Sequence, residues 1–451
     1  MSDLLSIGRS GVVAYRAALS TVGENVSNAE TEGYTRRTVN LTESGLSAST
    51  SYQYRSSAVF GGVGLSSVSR VYNDYKSAYA RFSNSEAART EAKSQWLETA
   101  EGALNDSDVG LGVKMSAVFT AGEGLTTDAG SDTNRRTMMT AIKEAVSGFN
   151  ASGKALASAA EGVTTTALST VSALNGNLKA LNQVNIALRR AGAGSAGQAL
   201  LLDQRDSLLK DISGAVGVDV RLETDGRANV TLTGDTTAKL VDSGETQAAF
   251  MGVVQASDGR FSLVISGNAA QAGVNPQSGA LAGLTDAANT IASRRETLNA
   301  TAARFGEVMN QWNQAGIDKN GAAGAALVSG TTATDLTMAT DDLSKIAAGS
   351  TAGVSNGNAL ALKDYRNSTG PEAKWALLIS THAQSVATAK AEVSATAAQR
   401  DGAFAALDEV TGIDLDVEAA QLLRFQQAYS GSAKIIQVAR ETLQEIMNLF
   451  N

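Results

Sequence analysis

AAQLLRFQQAYSGSAKIIQVARETLQEIMNLF, residues 419–450, is the stretch on which the reading of the whole chain turns. Leu422, Tyr429, Ile436, Leu443 and Phe450 fall at every seventh position. Phe425, Ala439 and Ile446 lie beside them, and Ser432 interrupts that second row. A seven-residue apolar repeat has the 3.5-residue period of a helix that lays one stripe along another and winds left-handed around it. Asp414, Asp416 and Glu418 crowd the start, where negative charge complements the helix dipole. The pattern predicts a helix over 415–450, about 50 Å long at ~1.5 Å per residue.

The opposite end carries the same writing. Leu5, Val12, Leu19 and Val26 recur at sevens, with Gly8, Tyr15, Val22 and Ala29 three places on. A helix over 3–28 follows, with Ser2 placed to cap its start. Each segment has a single stripe and little else. A lone helix of that size is marginal in water, because most helical stability comes from packing. The natural partner of each end is therefore the other, together with copies from neighbouring molecules. Both ends are expected to be loose in a monomer and to order on assembly.

Between the ends, helical propensity covers 74–105, 134–190, 198–214, 285–316 and 371–410. Pro371 after Gly370 suits a first helical position, where a missing N–H costs nothing. Residues 31–72 and 316–366, rich in Gly, Ser, Thr and Asn, read as extended or irregular segments lying on the helices. Over 216–267 the period changes to two. Val218, Val220 and Leu222 alternate with polar neighbours, Asp225-Gly226 follows, and Val230 and Leu232 resume the alternation. Asp258-Gly259 precedes Phe261, Leu263 and Ile265 in the same way. Two-residue Asp-Gly turns between alternating runs are strong hairpin signals. The expected fold is mainly α with an inserted small β domain. Residues 1–73 and 411–451 would form terminal assembly helices plus an extended segment, 74–215 and 286–410 a helical bundle, and 216–285 the insertion.

Composition narrows the chemistry. Among 451 residues the net charge is −8, which argues against a nucleic-acid binder or a polybasic membrane-surface protein. Cysteine is absent and His382 is the single histidine, so thiol chemistry and a multi-histidine metal site are out of reach. No run approaches the roughly 20 apolar residues of a membrane span, and the first residues lack the pattern of a cleaved secretory signal. The prolines are Pro276 and Pro371 alone, and aromatics make up 5% of the chain. Few prolines permit long helices, and few aromatics leave a lean core, which suits elongated helical packing.

The remaining motifs read as structure. GAGSAG at 192–197 fits G-x-G-x-x-G, but a helical segment precedes it where a dinucleotide site needs a strand. A reversal between helices is the expected role. His382 lies on a helix with no visible partner. The carboxylate pairs Asp341-Asp342 and Asp408-Glu409 sit among solvated residues, and DKNGAAG at 318–324 lacks the alternating ligands of a calcium loop. No catalytic, cofactor-binding or metal-binding residue is expected, and the chain does not read as an enzyme.

NVSNAETEGYTRR, residues 25–37, resembles the N-terminal signature of the bacterial flagellar axial proteins of rod, hook and hook-associated type, through Asn25, Asn28, Thr31, Gly33 and Tyr34. Thr35-Arg36-Arg37 is closer to the hook-associated branch. The C-terminal stretch is similar to that branch as well, through Gln427, Ala428, Tyr429, Ser432 and Ala433, with Gly431 where Ala is common. FGGVGLSSVSRVYNDY (60–75), LLLDQRDSLLKDIS (200–213) and GNALAL (357–362) extend the likeness over nearly the whole chain.

The resemblance implies a subunit of the hook–filament junction, exported unfolded by the flagellar type III apparatus with a cytosolic chaperone on its C-terminal helix. It implies self-association into a ring or tube, contact with hook protein and with a second, filament-side hook-associated protein, and no cofactor, nucleic acid or membrane partner. The stripe residues Leu5, Val12, Leu19, Val26, Leu422, Tyr429, Ile436, Leu443 and Phe450 would carry assembly. A hook or distal-rod protein, a secreted coiled-coil adhesin and a wall hydrolase on an axial scaffold are the alternatives.

Overall fold

A computed structural model describes residues 2–31, 33–43, 61–104, 106–266 and 272–449, with side chains from residue 4 to 448. Phe450 and the side chain of Ser2 lie outside the described residues. In chain order come α1 (Ser2–Ser27), β1 (Arg37–Glu43), β2 (Val63–Arg70), α2 (Asp74–Ala103), α3 (Leu111–Thr127), α4 (Asp132–Leu188) and α5 (Ala196–Ala215). Strands β3 (Val218–Leu222), β4 (Ala228–Leu232), β5 (Asp235–Val241), β6 (Phe250–Gln255), β7 (Phe261–Ser266) and β8 (Ala272–Val274) follow. The rest is α6 (Ala280–Gln314), the two-residue strands β9 (Gly316–Ile317), β10 (Val328–Ser329), β11 (Thr337–Met338) and β12 (Gly349–Ser350), then α7 (Gly357–Ala361), α8 (Pro371–Thr411) and α9 (Leu415–Leu449). The mainly α reading holds, and Pro371 opens α8 as its fixed φ and missing N–H favour.

The helix α3 is not among the expected ones. Leu111, Met115, Val118 and Leu125 are all buried at helical spacing, but Gly110, Gly112, Gly122 and Gly124 give the segment the look of a loop. Gly122 has a packing reason: a Cβ there would meet Leu362 Cδ2 at 2.3 Å.

The chain forms two compact units. The first comprises Met1–Asn84, Leu174–Phe250 and Ala398–Asn451. Its sheet runs β3-β4-β5, antiparallel, with Ala228, Val230 and Leu232 buried. Asn185 on α4 docks β4 by exchanging two hydrogen bonds with the backbone of Ala228, at 2.8 and 2.9 Å. The ribbon β1–β2 is antiparallel and pairs Arg37 with Arg70. GAGSAG is the reversal between α4 and α5. Ser195 Oγ accepts from Gln198 N at 3.1 Å, and Gln198 Oε1 accepts from Gly194 N at 2.8 Å. The first bond caps α5 at Ser195, and the second ties the helix start back to the preceding turn.

The second unit comprises Ser85–Ala173 and Met251–Ala397. Phe149 and Phe305 meet in its core with ring centroids 5.4 Å apart and the rings tilted, and Trp312 is buried as well. Trp312 Nε1 donates to Asn358 O at 2.8 Å, and Asn358 Nδ2 returns a bond to Trp312 O at 2.8 Å. This exchange anchors the irregular segment that follows α6. The sheet β6-β7-β8 belongs here. Residues 216–285 therefore carry two three-stranded sheets, one per unit, where the alternation alone suggests one body. Both Asp-Gly hairpins close with three-residue loops instead of the expected two-residue turns. Glu223 N bonds Arg227 O, Ala256 N bonds Arg260 O, and Gly226 and Gly259 take φ of +87° and +90° in the third loop position. A left-handed residue there is what this turn class requires.

Candidate assembly interface at the paired termini

The two terminal helices pair with each other inside one chain. They run antiparallel. Asn25 on α1 meets Glu418 at the start of α9, while Gly8 and Gly11 meet Ile436 and Ser432. Among the described residues of α9 the buried ones are Glu418, Phe425, Ser432 and Ala439, again at sevens. On α1 they include Gly8, Gly11, Ala14, Ala18, Val22 and Asn25.

This seam is not the expected row. Leu5, Val12 and Leu19 are half-buried, and Val26 is exposed. On α9, Tyr429, Ile436 and Leu443 are half-buried, and Leu422 is exposed. Most of the expected stripe flanks the seam, while Leu19 packs against the Phe425 cluster and Ile436 meets Gly8. Small residues decide the matter. A Cβ at Gly11 would lie 2.3 Å from Ser432 Oγ and 2.9 Å from its Cβ, and one at Gly8 would lie 2.6 Å from Ile436 Cγ1. The backbones come so close that only Gly, Ala and Ser fit between them. Ser432, which interrupts the apolar row in the sequence, returns its hydroxyl to Ala428 O at 2.9 Å. Bulk enters lower down, where Tyr15 and Phe425 meet with ring centroids 6.4 Å apart and Ala18, Val22, Val39 and Leu41 pack around them.

The signature residues divide into a turn and a hub. Asn28 and Thr31 finish α1. Asn28 Nδ2 donates back to Glu24 O at 2.9 Å, and Thr31 N to Asn28 O at 3.0 Å. Tyr34 N then bonds Thr31 O at 3.1 Å, with Gly33 at φ +79° inside the turn. A non-glycine side chain is strained at such a φ.

Asn25 is the hub, 1% exposed. Its Nδ2 donates to Arg37 O at 2.9 Å and to Glu418 Oε2 at 3.0 Å. Its Oδ1 accepts from Arg37 N at 3.0 Å and from the Tyr34 hydroxyl at 3.1 Å. Burial pushes the Tyr34 phenol up, against the opposing Arg37 charge.

Around the hub lies an ion-pair ladder whose members sequence reading leaves unassigned. Arg36 Nε reaches Glu418 Oε1 at 2.7 Å. Arg37 bridges Glu24 at 3.1 Å and Asp203 on α5 at 3.2 Å, and Asp203 meets Arg70 at 3.2 Å. Arg70 and Arg205 both pair with Asp206. Burial pushes the Asp203 carboxyl up, opposed by the Arg70 and Arg37 guanidiniums. The ladder joins α1, β1, β2, α5 and α9, and it gives the LLLDQRDSLL stretch its role. Glu418 reads in the sequence as one of three charges at a helix start. Asp414 does that work, accepting from Asp416 N at 2.9 Å and Val417 N at 3.2 Å. The available signal for Glu418 is its place seven residues before Phe425, on the seam row.

Elsewhere, His382 is 1% exposed and its Nε2 sits 2.9 Å from Leu97 O. Asp341, Asp342, Asp408 and Glu409 are exposed. Asp318 folds its own loop, accepting from Asn320 N and Ala322 N at 2.9 Å. Among the described residues no group of three or more acidic or histidine side chains is placed to hold a metal ion, and no helix is long and apolar enough to cross a membrane.

Comparison with known proteins places this geometry. The model of the flagellar hook-associated protein FlgK helical domain matches residues 97–328, and that of the flagellar basal body rod FlgEFG protein C-terminal region matches residues 406–449. Flagellar hook-associated protein 1 of Escherichia coli (strain K12) is 27% identical over 333 residues, covering 72% of this chain and 59% of that protein. Its counterpart in Salmonella typhimurium is 25% identical with the same coverage, so the chain spans about three fifths of the length of these relatives. Flagellar hook-associated protein 1 of Bacillus subtilis (strain 168) is 23% identical over 98% of this chain and 97% of its own. The flagellar hook junction protein FlgK from Burkholderia pseudomallei shares the fold, with a TM-score of 0.50, 20% identity, and coverage of 56% of this chain and 46% of that one.

Proposed function

Because the chain belongs to the family of the flagellar hook-associated protein FlgK, we propose that it is a structural subunit of the bacterial flagellum that joins the hook to the filament. The observation that carries this reading is the terminal helix pair. It is closed along a seam of small residues, yet it turns apolar side chains outward. Val13 is 61% exposed, Leu423 59%, Val438 56% and Met447 62%. These side chains lie on different faces of the pair, each open to a neighbouring copy in an assembly.

In this reading neighbouring copies cover those faces and the flanking row Leu5, Val12, Leu19, Val26, Leu422, Tyr429, Ile436, Leu443 and Phe450. A buried Leu contributes on the order of 2 kcal/mol, and a ring or tube repeats that gain at every subunit contact. Residues 1–73 and 411–451 form the inner wall, and the helical bundle and β segments the outer one. The work is mechanical and asks for no catalytic group or cofactor. The chain is exported through the type III apparatus, with a chaperone covering α9 beforehand. It then contacts hook protein on one side and a second hook-associated protein on the other.

Electron microscopy of a strain deleted for the gene tests this. Hooks of normal length without filaments, and flagellin lost to the medium, are the expected result. Intact filaments would remove the junction role. The likeness of residues 406–449 to rod proteins favours a second reading, a hook or distal-rod component. Labelling along the hook, rather than at its tip, would select it.

A further inference from the structure

The first turns of α2 are inside out. Ser77, Ala80 and Ser83 are buried, whereas Tyr75, Tyr79 and Phe82 are exposed at 79%, 41% and 51%. The three rings recur at i, i+4 and i+7, so they stand in one row along the helix, with the exposed Ala78 among them. In a chain that is 5% aromatic, side chains of the type that buries the most area are turned outward here. The Tyr79 hydroxyl accepts from Gln399 Nε2 at 3.3 Å, which sets the row beside the C-terminal part of α8.

That part of α8 carries the opposite shape. Ala398, Gly402 and Ala405 are exposed, again at i, i+4 and i+7. Outside its own helix backbone, nothing lies within 4 Å of a Cβ built on Gly402. Glycine is unfavourable inside a helix, and Gly402, unlike Gly8 and Gly11, has no contact in the chain that requires it. A row of large side chains and a row of small ones at the same spacing fit as ridge into groove. Both rows belong to the first unit and both stay exposed, so the ridge does not fill the groove of its own chain.

We propose that Tyr75, Tyr79 and Phe82 of one copy pack against Ala398, Gly402 and Ala405 of a neighbouring copy. The proposal rests on the reading of the chain as a self-assembling junction subunit, and it adds a contact outside the terminal pair. Area selects the occupant. At their exposures the three rings offer roughly 300–400 Å², well under the ~800 Å² per partner of a stable complex. So small a patch does not hold a free-standing partner. It does engage a copy that the exposed faces of α1 and α9 already hold, because ridge and groove then meet at high effective concentration. The chain supplies both halves of the contact as unlike surfaces, so the contact propagates from copy to copy, as a ring or helical tube requires. The isolated chain stays monomeric.

The chain has no cysteine, so one full-length chain with Tyr79→Cys and a second with Gly402→Cys report the contact without background. These are the middle positions of the two rows and meet whichever way the helices run. With both chains expressed together in a strain deleted for the gene, mild oxidation of isolated flagella should join them as a disulfide dimer. The same two proteins, purified and mixed at micromolar concentration, should close at least about tenfold less. Flagella that hold both chains and give no dimer would overturn the contact and leave the junction role standing. Absence of the parent chain from flagella would sink the junction role, and this contact with it. Gly402→Leu tests the groove without cross-linking. It puts a good helix former under open space, so the isolated chain should melt at or above the parent temperature. The filled groove should nevertheless lower the number of filaments per cell by about tenfold or more. Filament number equal to the parent would overturn the contact. So would a lower melting temperature, which would set the groove against its own chain, or closure in the purified mixture as ready as in flagella.

Discussion

Asn25 and Glu418 stand 393 positions apart in the chain and share a hydrogen bond of 3.0 Å between buried side chains. That bond makes the two ends of the chain one structural element. Asn25 also takes both backbone groups of Arg37 and the Tyr34 hydroxyl, so the end of α1, the signature turn, the start of β1 and the start of α9 converge on one amide.

Removing that amide should cost more than an average buried hydrogen bond. In Asn25→Ala the Arg37 backbone, the Tyr34 hydroxyl and Glu418 lose partners together, and unmatched buried groups cost about 1–3 kcal/mol each. A loss of about 2–4 kcal/mol is expected in chemical denaturation of the first unit. Asn25→Asp should be worse than Asn25→Ala, because it faces a carboxylate toward Glu418. Hydrogen exchange at residues 24–43 should quicken in both variants while the second unit keeps its protection. Unchanged exchange there would dismiss Asn25 as the hub.

Gly11 pays a helix-interior penalty of about 1 kcal/mol relative to alanine, and the close approach of Ser432 leaves no room for a Cβ there. Gly11→Val should force α1 and α9 apart and cost about 2–3 kcal/mol, since neither the Ser432 Cβ nor the α9 backbone can retreat. Adding Ser432→Gly should recover part of the loss. Equal stability of the single and double variants would show that the close approach is not what Gly11 serves.

The repeats at both ends were enough to predict two helices that seek helical partners, and Asp225-Gly226 and Asp258-Gly259 were enough to predict the hairpins. The face was harder. Apolar counting weights Leu422 and Leu443 above Gly11, Ser432 and Ala439, whereas close packing selects residues for what they lack. Position relative to the repeat would have served better than hydrophobicity, because Glu418, Phe425, Ser432 and Ala439 keep the interval of seven regardless of polarity. The ladder from Glu418 to Asp206 could not be read at all. Its members are scattered over five elements, and only folding brings Arg37, Arg70 and Asp203 together. The helix α3 was masked by its glycines, of which Gly122 makes room for a side chain supplied by a distant segment.

His382 gives the second unit a pH dependence of known sign. Burial lowers its pKa from the ordinary value, with the bond to Leu97 O opposing and the nearby Arg294 charge adding to the effect. The unfolded chain thus binds a proton more readily than the folded one. Stability is complete above the unfolded value of about 6.5 and falls as pH drops below it. His382→Gln should flatten this part of the profile. Thermal midpoints at pH 8 and pH 5 for both proteins check it. An equal drop in the two would assign the acid sensitivity to other groups.

Val438 separates folding from assembly in a way that Ile436 cannot. Ile436 touches Gly8 within the chain, so Ile436→Asp would weaken the terminal pair and any contact between copies together. Val438 is 56% exposed on α9, and a surface substitution there should leave helix content and denaturation midpoint within about 0.5 kcal/mol of the parent. If neighbouring copies cover that face, an aspartate on it is buried without a partner at every subunit contact, a cost that repeats around the ring. Val438→Asp should therefore fold and be exported as the parent is, yet leave hooks without filaments when it replaces the parent in the cell. Leu423→Asp, on a different face of the same helix, should do the same if both faces are covered. Filaments of normal number with Val438→Asp would mean that this face stays open in the assembled flagellum, and would confine the contacts between copies to the Leu422, Tyr429 and Ile436 flank of the seam.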